Sequence, residues 1–145
     1  MIPKQFRIHV VLIVAALFMI IFPILSETPD ADKAERARAA AAVFLDRVDA
    51  GDYGDSWDLL AELAQEKISR EKWTEQLAEA RERSGALVER QQEDASFSTE
   101  AKDSPEGEYI LLSYDARFEK ATGVTEYVTV MLTDQGWQVA GYFMQ

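Results

Sequence analysis

The hydrophobic pattern of this chain changes its period at Gly85, and this change limits the folds that the chain can adopt. Between residues 34 and 84, apolar side chains recur at steps of three and four, as on one face of an amphipathic helix. After Gly85 they alternate with polar side chains, as in half-buried strands, which are predicted at residues 86–98, 108–118, 124–133 and 136–144, with a turn at residues 119–123. The inward face of the second strand is predicted to consist of Ile110, Leu112, Tyr114, Ala116 and Phe118. The third strand has Val128, Val130 and Leu132 on one face with Glu126, and the inward face of the fourth is ambiguous. Helices followed by a run of strands are typical of an α+β domain, in which the helices pack on one face of a curved, four-stranded antiparallel sheet.

About three helices are predicted before the sheet. The first begins near Asp30 or Asp32 and ends at about Ala50. The second covers residues 56–64, and the third covers residues 69–85, with a serine as its N-cap and a glycine at its end. Large aromatic side chains at helical spacing usually pack in a core, so two tryptophans are predicted to be core anchors: Trp57 and Trp73.

An aspartate occupies every third position from residue 46 to 58, a pattern that could indicate a metal site, catalytic carboxylates or a turn. A calcium-binding EF-hand loop needs oxygen ligands at alternate positions, but the alternate positions here include Val48 and Ala50. A step of three rotates a helical side chain by about 300°, so successive carboxylates diverge. We therefore expect a turn with a helix cap at Asp55 and neither a metal nor a cofactor, and Asp49 as a buried polar contact.

The N-terminal segment, residues 1–26, contains a run of 16 consecutive non-polar residues, and the positive charges of Lys4 and Arg7 precede this run. A membrane-spanning helix needs about 20 apolar residues and a signal-peptide core about 7–15, so the length fits either a signal anchor or a signal peptide. No small-residue cleavage site is evident, and we favour an uncleaved inner-membrane anchor through residues 8–25. In both cases the rest of the chain is expected in the periplasm or another extracytoplasmic space, because the basic flank stays in the cytoplasm.

The remainder of the chain is predicted to form a polar tether, residues 27–33, and one domain, residues 34–145. The chain has no cysteine, and its single histidine, His9, lies in the N-terminal segment. Cysteine nucleophiles, thiolate metal sites and imidazole bases are therefore excluded from the domain. The chain has 26 acidic and 15 basic residues, and this negative charge repels phosphate backbones, so we expect no nucleic-acid partner.

Several short motifs make the chain resemble a small exported family known as domain of unknown function 4019. They are the segments DAGDYGDSW, EKW, PEGEY and GWQVAGYF, and the likeness extends from about residue 34 to the C-terminus. The resemblance implies the cone-shaped fold of nuclear transport factor 2-like, or cystatin-like, proteins and implies no activity. One departure concerns the end of the third helix, where Arg83 and Ser84 stand at positions at which the family tends to have proline and leucine.

Six residues are candidates for a ligand-binding site. The resemblance implies such a site, because relatives of the cone fold include isomerases and cyclases that use a carboxylate base and tyrosine donors. The candidates are Asp49, Glu126, Tyr114, Tyr142, Arg81 and Arg90. Glu126 is the best candidate for a base, since it lies on an otherwise aliphatic strand face. We favour the alternative that it forms an ion pair with Arg81 or Arg90 and fixes the third helix against the sheet.

Two hypotheses for the function follow. In the one that we favour, the domain is a non-catalytic binding or assembly module that contacts a second copy, a protein partner or a small ligand through the open sheet face, with Tyr127, Met131 and Leu111 exposed there. In the alternative, it is a small histidine-free enzyme with Glu126 or Asp49 as a base in an apolar, cone-shaped pocket. Pairing of both carboxylates with arginine would count against the enzyme.

Overall fold

The computed structural model describes residues 27–101 and 104–145. The predicted N-terminal hydrophobic helix lies outside these residues. Within them, four helices precede four strands: α1 (Ala31–Asp49), α2 (Tyr53–Asp58), α3 (Glu62–Lys67), α4 (Arg70–Ser84), β1 (Leu87–Ser98), β2 (Tyr109–Phe118), β3 (Ala121–Thr133) and β4 (Gly136–Met144). The strands form one antiparallel sheet in chain order, which confirms the predicted α+β class. No helix in the described ranges has the length and apolar character needed to cross a membrane.

The ends of the two long helices are set by the residues that the sequence indicated. The Asp30 side chain accepts hydrogen bonds from the first turn of α1, at 3.2 Å from the backbone nitrogen of Asp32. Ser69 caps α4 in the same way, with its hydroxyl oxygen 3.1 Å from the backbone nitrogen of Lys72. Gly85 follows α4 with a φ of 78°, a left-handed conformation that favours glycine. These contacts confirm the predicted start of the first helix and both ends of the last.

The predicted second helix, residues 56–64, is instead two short helices, α2 and α3. The backbone between them pairs with the edge of β4: Leu60 forms a parallel bridge with Val139, and the Ala61 N–H donates to the Val139 carbonyl at 2.7 Å. Pairing with a strand requires extended backbone, so the helix is interrupted there. The cap expected at Asp55 was wrong, because α2 begins after Asp52 and Asp55 lies in its first turn.

The main core lies between the helices and the inner face of the sheet. The predicted inward positions of β2 are all buried: Ile110, Leu112, Tyr114, Ala116 and Phe118. Trp73 is 3% exposed and its indole N–H donates to the buried hydroxyl of Ser56 at 2.9 Å. Trp57 is half-buried against this core, and its indole N–H donates to the Ile68 carbonyl at 3.0 Å. Both tryptophans are therefore core anchors, as predicted.

The two C-terminal strands differ from the simple alternation of the sequence. A register shift between β3 and β4 at Thr129 and Val130 leaves four consecutive β4 residues buried, from Val139 to Tyr142. Leu132, predicted to share the buried face, is instead 39% exposed, one residue before the end of β3. The turn predicted at residues 119–123 is also shorter than expected, since Phe118 already pairs with Ala121.

The segment predicted to be a tether, residues 27–33, is attached to the domain. Glu27 forms an antiparallel bridge with Phe97 at the free edge of β1, through backbone hydrogen bonds of 2.8 and 2.6 Å. Helix α1 begins only four residues later, at Ala31. The described chain therefore enters the domain at the edge of the sheet.

Candidate functional site

Five of the six candidate residues meet in one cluster at the interface between the helices and the sheet. We call this cluster the charge network, and it consists of Asp49, Arg81, Arg90, Glu126 and Tyr142. Each comes from a different element, in the order α1, α4, β1, β3 and β4. The network therefore links both long helices to three of the four strands.

The periodicity of each element explains why these side chains converge. Arg81 follows Trp73 and Leu77 at intervals of four and lies with them on the buried face of α4. Glu126 shares the inner face of β3 with Val128 and Val130, and its Cα is paired with that of Met144 on β4. In each case, a charged residue takes a position that the hydrophobic pattern assigns to the core.

Glu126 is fully buried, and both of its carboxylate oxygens are occupied. Arg90 donates from Nε to Oε1 at 2.7 Å and from Nη2 to Oε2 at 3.2 Å, a two-point contact. The hydroxyl of Tyr142 donates to Oε2, and Nη2 of Arg81 lies 3.6 Å from the same oxygen. The sequence analysis favoured an ion pair of Glu126 with Arg81 or Arg90, and both pairs are present in the structure, with Arg90 the closer of the two.

Asp49 lies at the edge of the network and accepts hydrogen bonds from both guanidinium groups. Its side chain is 21% exposed. Arg90 donates to its two oxygens at 2.7 and 2.9 Å, and Nη2 of Arg81 donates to Oδ1 at 2.9 Å. Because Arg90 bridges Asp49 and Glu126, the end of α1 is joined to the middle of β3 through one side chain.

The network contains two carboxylates and two guanidinium groups, so its formal charges balance. Balance matters because a buried charge without a partner is far more costly than a paired one. The guanidinium carbon of Arg81 lies 4.7 Å from the centre of the Phe118 ring, a further favourable contact for this cation. One cost remains, since the Arg81 Nε is buried without a hydrogen-bond acceptor.

Both arginines are held in the charged form. Burial acts to lower the pKa of Arg90, but its hydrogen bonds to Asp49 and Glu126 outweigh burial and raise the pKa above the ordinary value. For Arg81, burial likewise acts to lower the pKa, and attraction to Tyr142, Glu126 and Asp49 outweighs it. The cations therefore persist wherever the carboxylates are ionised.

Burial raises the pKa of the Tyr142 phenol well above 10, and the negative charge of Glu126 adds to this effect. The phenol consequently stays protonated and donates its hydrogen bond to the carboxylate. Tyr114, the sixth candidate, lies beside the network rather than in it: its Cα is paired with that of Glu126 across β2 and β3. Its side chain packs in the core, and burial raises its pKa to about 12.

These two phenols predict a loss of stability in alkali. In the unfolded chain tyrosine ionises near pH 10, whereas both phenols remain protonated in the folded protein, so stability is complete below pH 10 and falls as the pH rises. For Tyr114 alone, a pKa raised from 10 to about 12 corresponds to roughly 3 kcal/mol, most of which is lost between pH 10 and pH 12. The measurement is urea unfolding of residues 27–145 between pH 8 and 12.

The matched variant for this test is Tyr114→Phe, because Tyr114 can lose its hydroxyl without removing a hydrogen bond from the network. We expect the variant to unfold less steeply with pH than the wild-type protein above pH 10. An identical slope in the two proteins would contradict the assignment of the alkaline loss to this phenol.

The arrangement offers no free base among the six candidates. The enzyme hypothesis required Glu126 or Asp49 to be unpaired, and both accept hydrogen bonds from arginine. The described residues also contain no group of three or more acidic, histidine or cysteine side chains that could hold a metal ion. The chemistry that the network can perform is charge-assisted cross-linking of secondary-structure elements.

Sequence reasoning missed two features of the site. It did not place Phe118 under Arg81, although the alternation of β2 put Phe118 on the inner face. It also did not predict that one arginine serves both carboxylates, since Asp49 and Arg90 are 41 positions apart in the chain. The only available signal was a set of charged residues at positions that the apolar pattern assigns to the core.

Comparison with protein families gives a match over residues 40–142, to the family described as "Protein of unknown function (DUF4019)". The matched range contains all five residues of the network. The comparisons with curated proteins and with solved structures gave no match.

Proposed function

The chain belongs to the family that this match identifies, and from that premise we propose that it is a non-catalytic binding or assembly module held at a membrane by residues 8–25. The observation that carries the proposal is the pairing of both candidate bases with arginine, Glu126 with Arg90 and Asp49 with Arg81 and Arg90. A general base must be able to take a proton from a substrate, and these carboxylates are engaged with cations. In this proposal, the network stabilises the packing of the helices on the sheet and does not act on a substrate.

The membrane part of the proposal rests on the sequence. Residues 10–25 are uniformly non-polar, and their basic flank directs the following domain to the extracytoplasmic side. The family match begins at residue 40, after this segment, so the acidic α+β domain is the part of the chain to which the proposal assigns the function. The cone-shaped fold of nuclear transport factor 2-like proteins is part of the same proposal, supported by the order of helices and strands.

The binding surface in this proposal is the outer face of β3 and β4, and its partner is a second copy of the chain. Tyr127 and Phe143 stack there, with ring centres 5.8 Å apart, beside Met131 on β3 and Leu111 on β2. The three positions that were expected to be exposed, Tyr127, Met131 and Leu111, are half-buried. The outward positions of these two strands carry no acidic residue, although the chain has a net charge of −11. Two copies with this charge repel each other over most of their surface, and an uncharged face is where they can meet.

Cysteine cross-linking in membranes tests this surface, because the natural chain has no cysteine. In the full-length chain, we expect Tyr127→Cys to form a disulfide-linked dimer on mild oxidation, since a two-fold contact brings the same face of both copies together. The readout is the fraction of dimer on a non-reducing gel. Phe143→Cys should behave in the same way, because Phe143 pairs with Tyr127 across the strands.

The matched control is Val43→Cys, an exposed position on α1, on the other side of the sheet. It should stay monomeric under the same oxidation. Adding Tyr127→Asp to the Phe143→Cys chain should abolish the dimer, because the acidic side chain restores repulsion between the copies. Equal cross-linking at residues 43 and 127, or none at 127 and 143, would overturn the proposed self-association.

A further inference from the structure

The direction in which the backbone of Glu27 runs along the sheet is set by one bridge. Glu27 pairs with Phe97 in the antiparallel sense. The N-terminal side of Glu27 is therefore directed toward the end of β1 at Ser98. In an antiparallel sheet in chain order, this is the end at which β2 and β4 begin and β3 finishes. The turn between β3 and β4 lies at this same end of the sheet.

Only one residue separates the bridge from the apolar segment. That segment finishes at Leu25, and Glu27 is hydrogen-bonded to β1, so Ser26 alone lies between them. Two residues of extended chain span about 7 Å. This leaves no length for a flexible connection between the apolar segment and this end of the sheet.

From this connection we infer that the domain is held with one end of its sheet on the bilayer surface. The contacting end consists of Glu27, Phe97 and the β3–β4 turn, and the partner is the lipid headgroup layer. The inference rests on the proposed membrane insertion of residues 8–25. The opposite end, with the turn at Glu119 and Lys120, points away from the bilayer.

The side chains near this end suit a neutral headgroup layer. Leu132 is 39% exposed there, next to the half-buried Trp137 with which it pairs across β3 and β4. An indole and an aliphatic side chain are typical of the membrane–water interface. Lys33 forms an ion pair with Glu108 and lies 5.4 Å from the centre of the Phe97 ring, which reinforces the edge where the chain enters. Glu27 and Asp134 are exposed at this end of the sheet, and their negative charge favours zwitterionic over anionic lipid.

Fluorescence quenching in vesicles tests this orientation with the full-length chain. The single-cysteine variants Gln135→Cys and Lys120→Cys carry the same fluorophore, one at each end of the sheet, in phosphatidylcholine vesicles that contain a headgroup quencher. β3 has 13 residues, so the two labels are separated by about 40 Å along the strand. We expect strong quenching at residue 135 and little at residue 120.

A second variant tests the role of the bridge. Glu27→Pro removes the N–H that donates to the Phe97 carbonyl, and it should reduce the difference in quenching between the two labels. Thr28→Pro is the matched control, one residue further along the chain and outside the bridge, and it should keep the difference.

Alkaline extraction of the same vesicles separates the two possible failures. Release of the chain from the membrane would overturn both the proposed anchor and the orientation. Retention of the chain with equal quenching at residues 120 and 135, or with stronger quenching at 120, would overturn the orientation and leave the anchor intact. An unchanged difference in the Glu27→Pro variant would show that the bridge does not set the orientation.

Discussion

Replacement of Glu126 by leucine is expected to lower the free energy of unfolding of the domain by about 3–5 kcal/mol, the usual cost of removing one partner from a buried ion pair. Leucine fills similar space, so the loss comes from electrostatics. Arg81 and Arg90 would keep only Asp49 as a counter-charge, and the Tyr142 hydroxyl would lose its acceptor. Urea unfolding of residues 27–145, followed by tryptophan fluorescence, measures the change.

An exposed ion pair in the same sheet provides the matched control. Glu89 and Arg117 face each other across β1 and β2 at 3.2 Å, with side chains 70% and 51% exposed. Exposed pairs contribute roughly 0–1 kcal/mol, so Glu89→Leu should have a small effect. Glu126→Gln should fall between the two leucine variants, because the amide keeps an acceptor for Tyr142. If Glu126→Leu costs no more than Glu89→Leu, the network does not stabilise the fold.

The hydrophobic period predicted most of the sheet because alternation depends on local geometry alone. Along β2, every predicted inward residue is buried, from Ile110 to Phe118. The face of β4 could not be assigned from its sequence, since large residues occur at both odd and even positions. The register shift opposite Thr129 and Val130 explains this pattern, because the buried set changes parity within the strand.

The break between α2 and α3 could not be predicted for a different reason. The sequence of residues 56–64 is compatible with one helix, and helix propensity is a weak constraint that tertiary contacts override. The overriding contact is the pairing of Leu60 and Ala61 with Val139, almost 80 positions later in the chain. The cap at Asp55 was a separate error, because α2 begins at Tyr53, three residues earlier than the predicted start.

The composition of the charge network was predictable, but its connections were not. Charged residues at core positions must find partners, and this rule pairs Glu126 with an arginine. The rule does not say how the guanidinium groups are shared. That Arg90 reaches both Asp49 and Glu126 depends on how α1 crosses the sheet, and an amphipathic pattern assigns a helix its buried face but not its crossing angle.

Combining Arg90→Met with Glu126→Leu should cost much less than the sum of the two single changes. Arg90→Met alone leaves the buried carboxylate of Glu126 with Arg81 as its one remaining cation, and we expect a loss of about 3–5 kcal/mol. The double variant removes one charge of each sign. It retains the pair of Arg81 with Asp49 and the contact of Arg81 with Tyr142, so the remaining charges balance.

We expect an interaction free energy of at least about 2 kcal/mol between the two changes, because contacting residues in one network couple by up to about 3 kcal/mol. A double-mutant cycle, followed by urea unfolding, measures this energy. The control cycle, Arg117→Met with Glu89→Leu, should give a coupling below about 1 kcal/mol because that pair is exposed. Additive costs in the first cycle would mean that Arg90 and Glu126 act independently.

The double variant also tests whether the network takes part in binding. If the network only stabilises the fold, a stable double variant that carries Tyr127→Cys should still form the cross-linked dimer through the outer face of β3 and β4. Loss of the dimer from a stably folded double variant would instead implicate the network in binding.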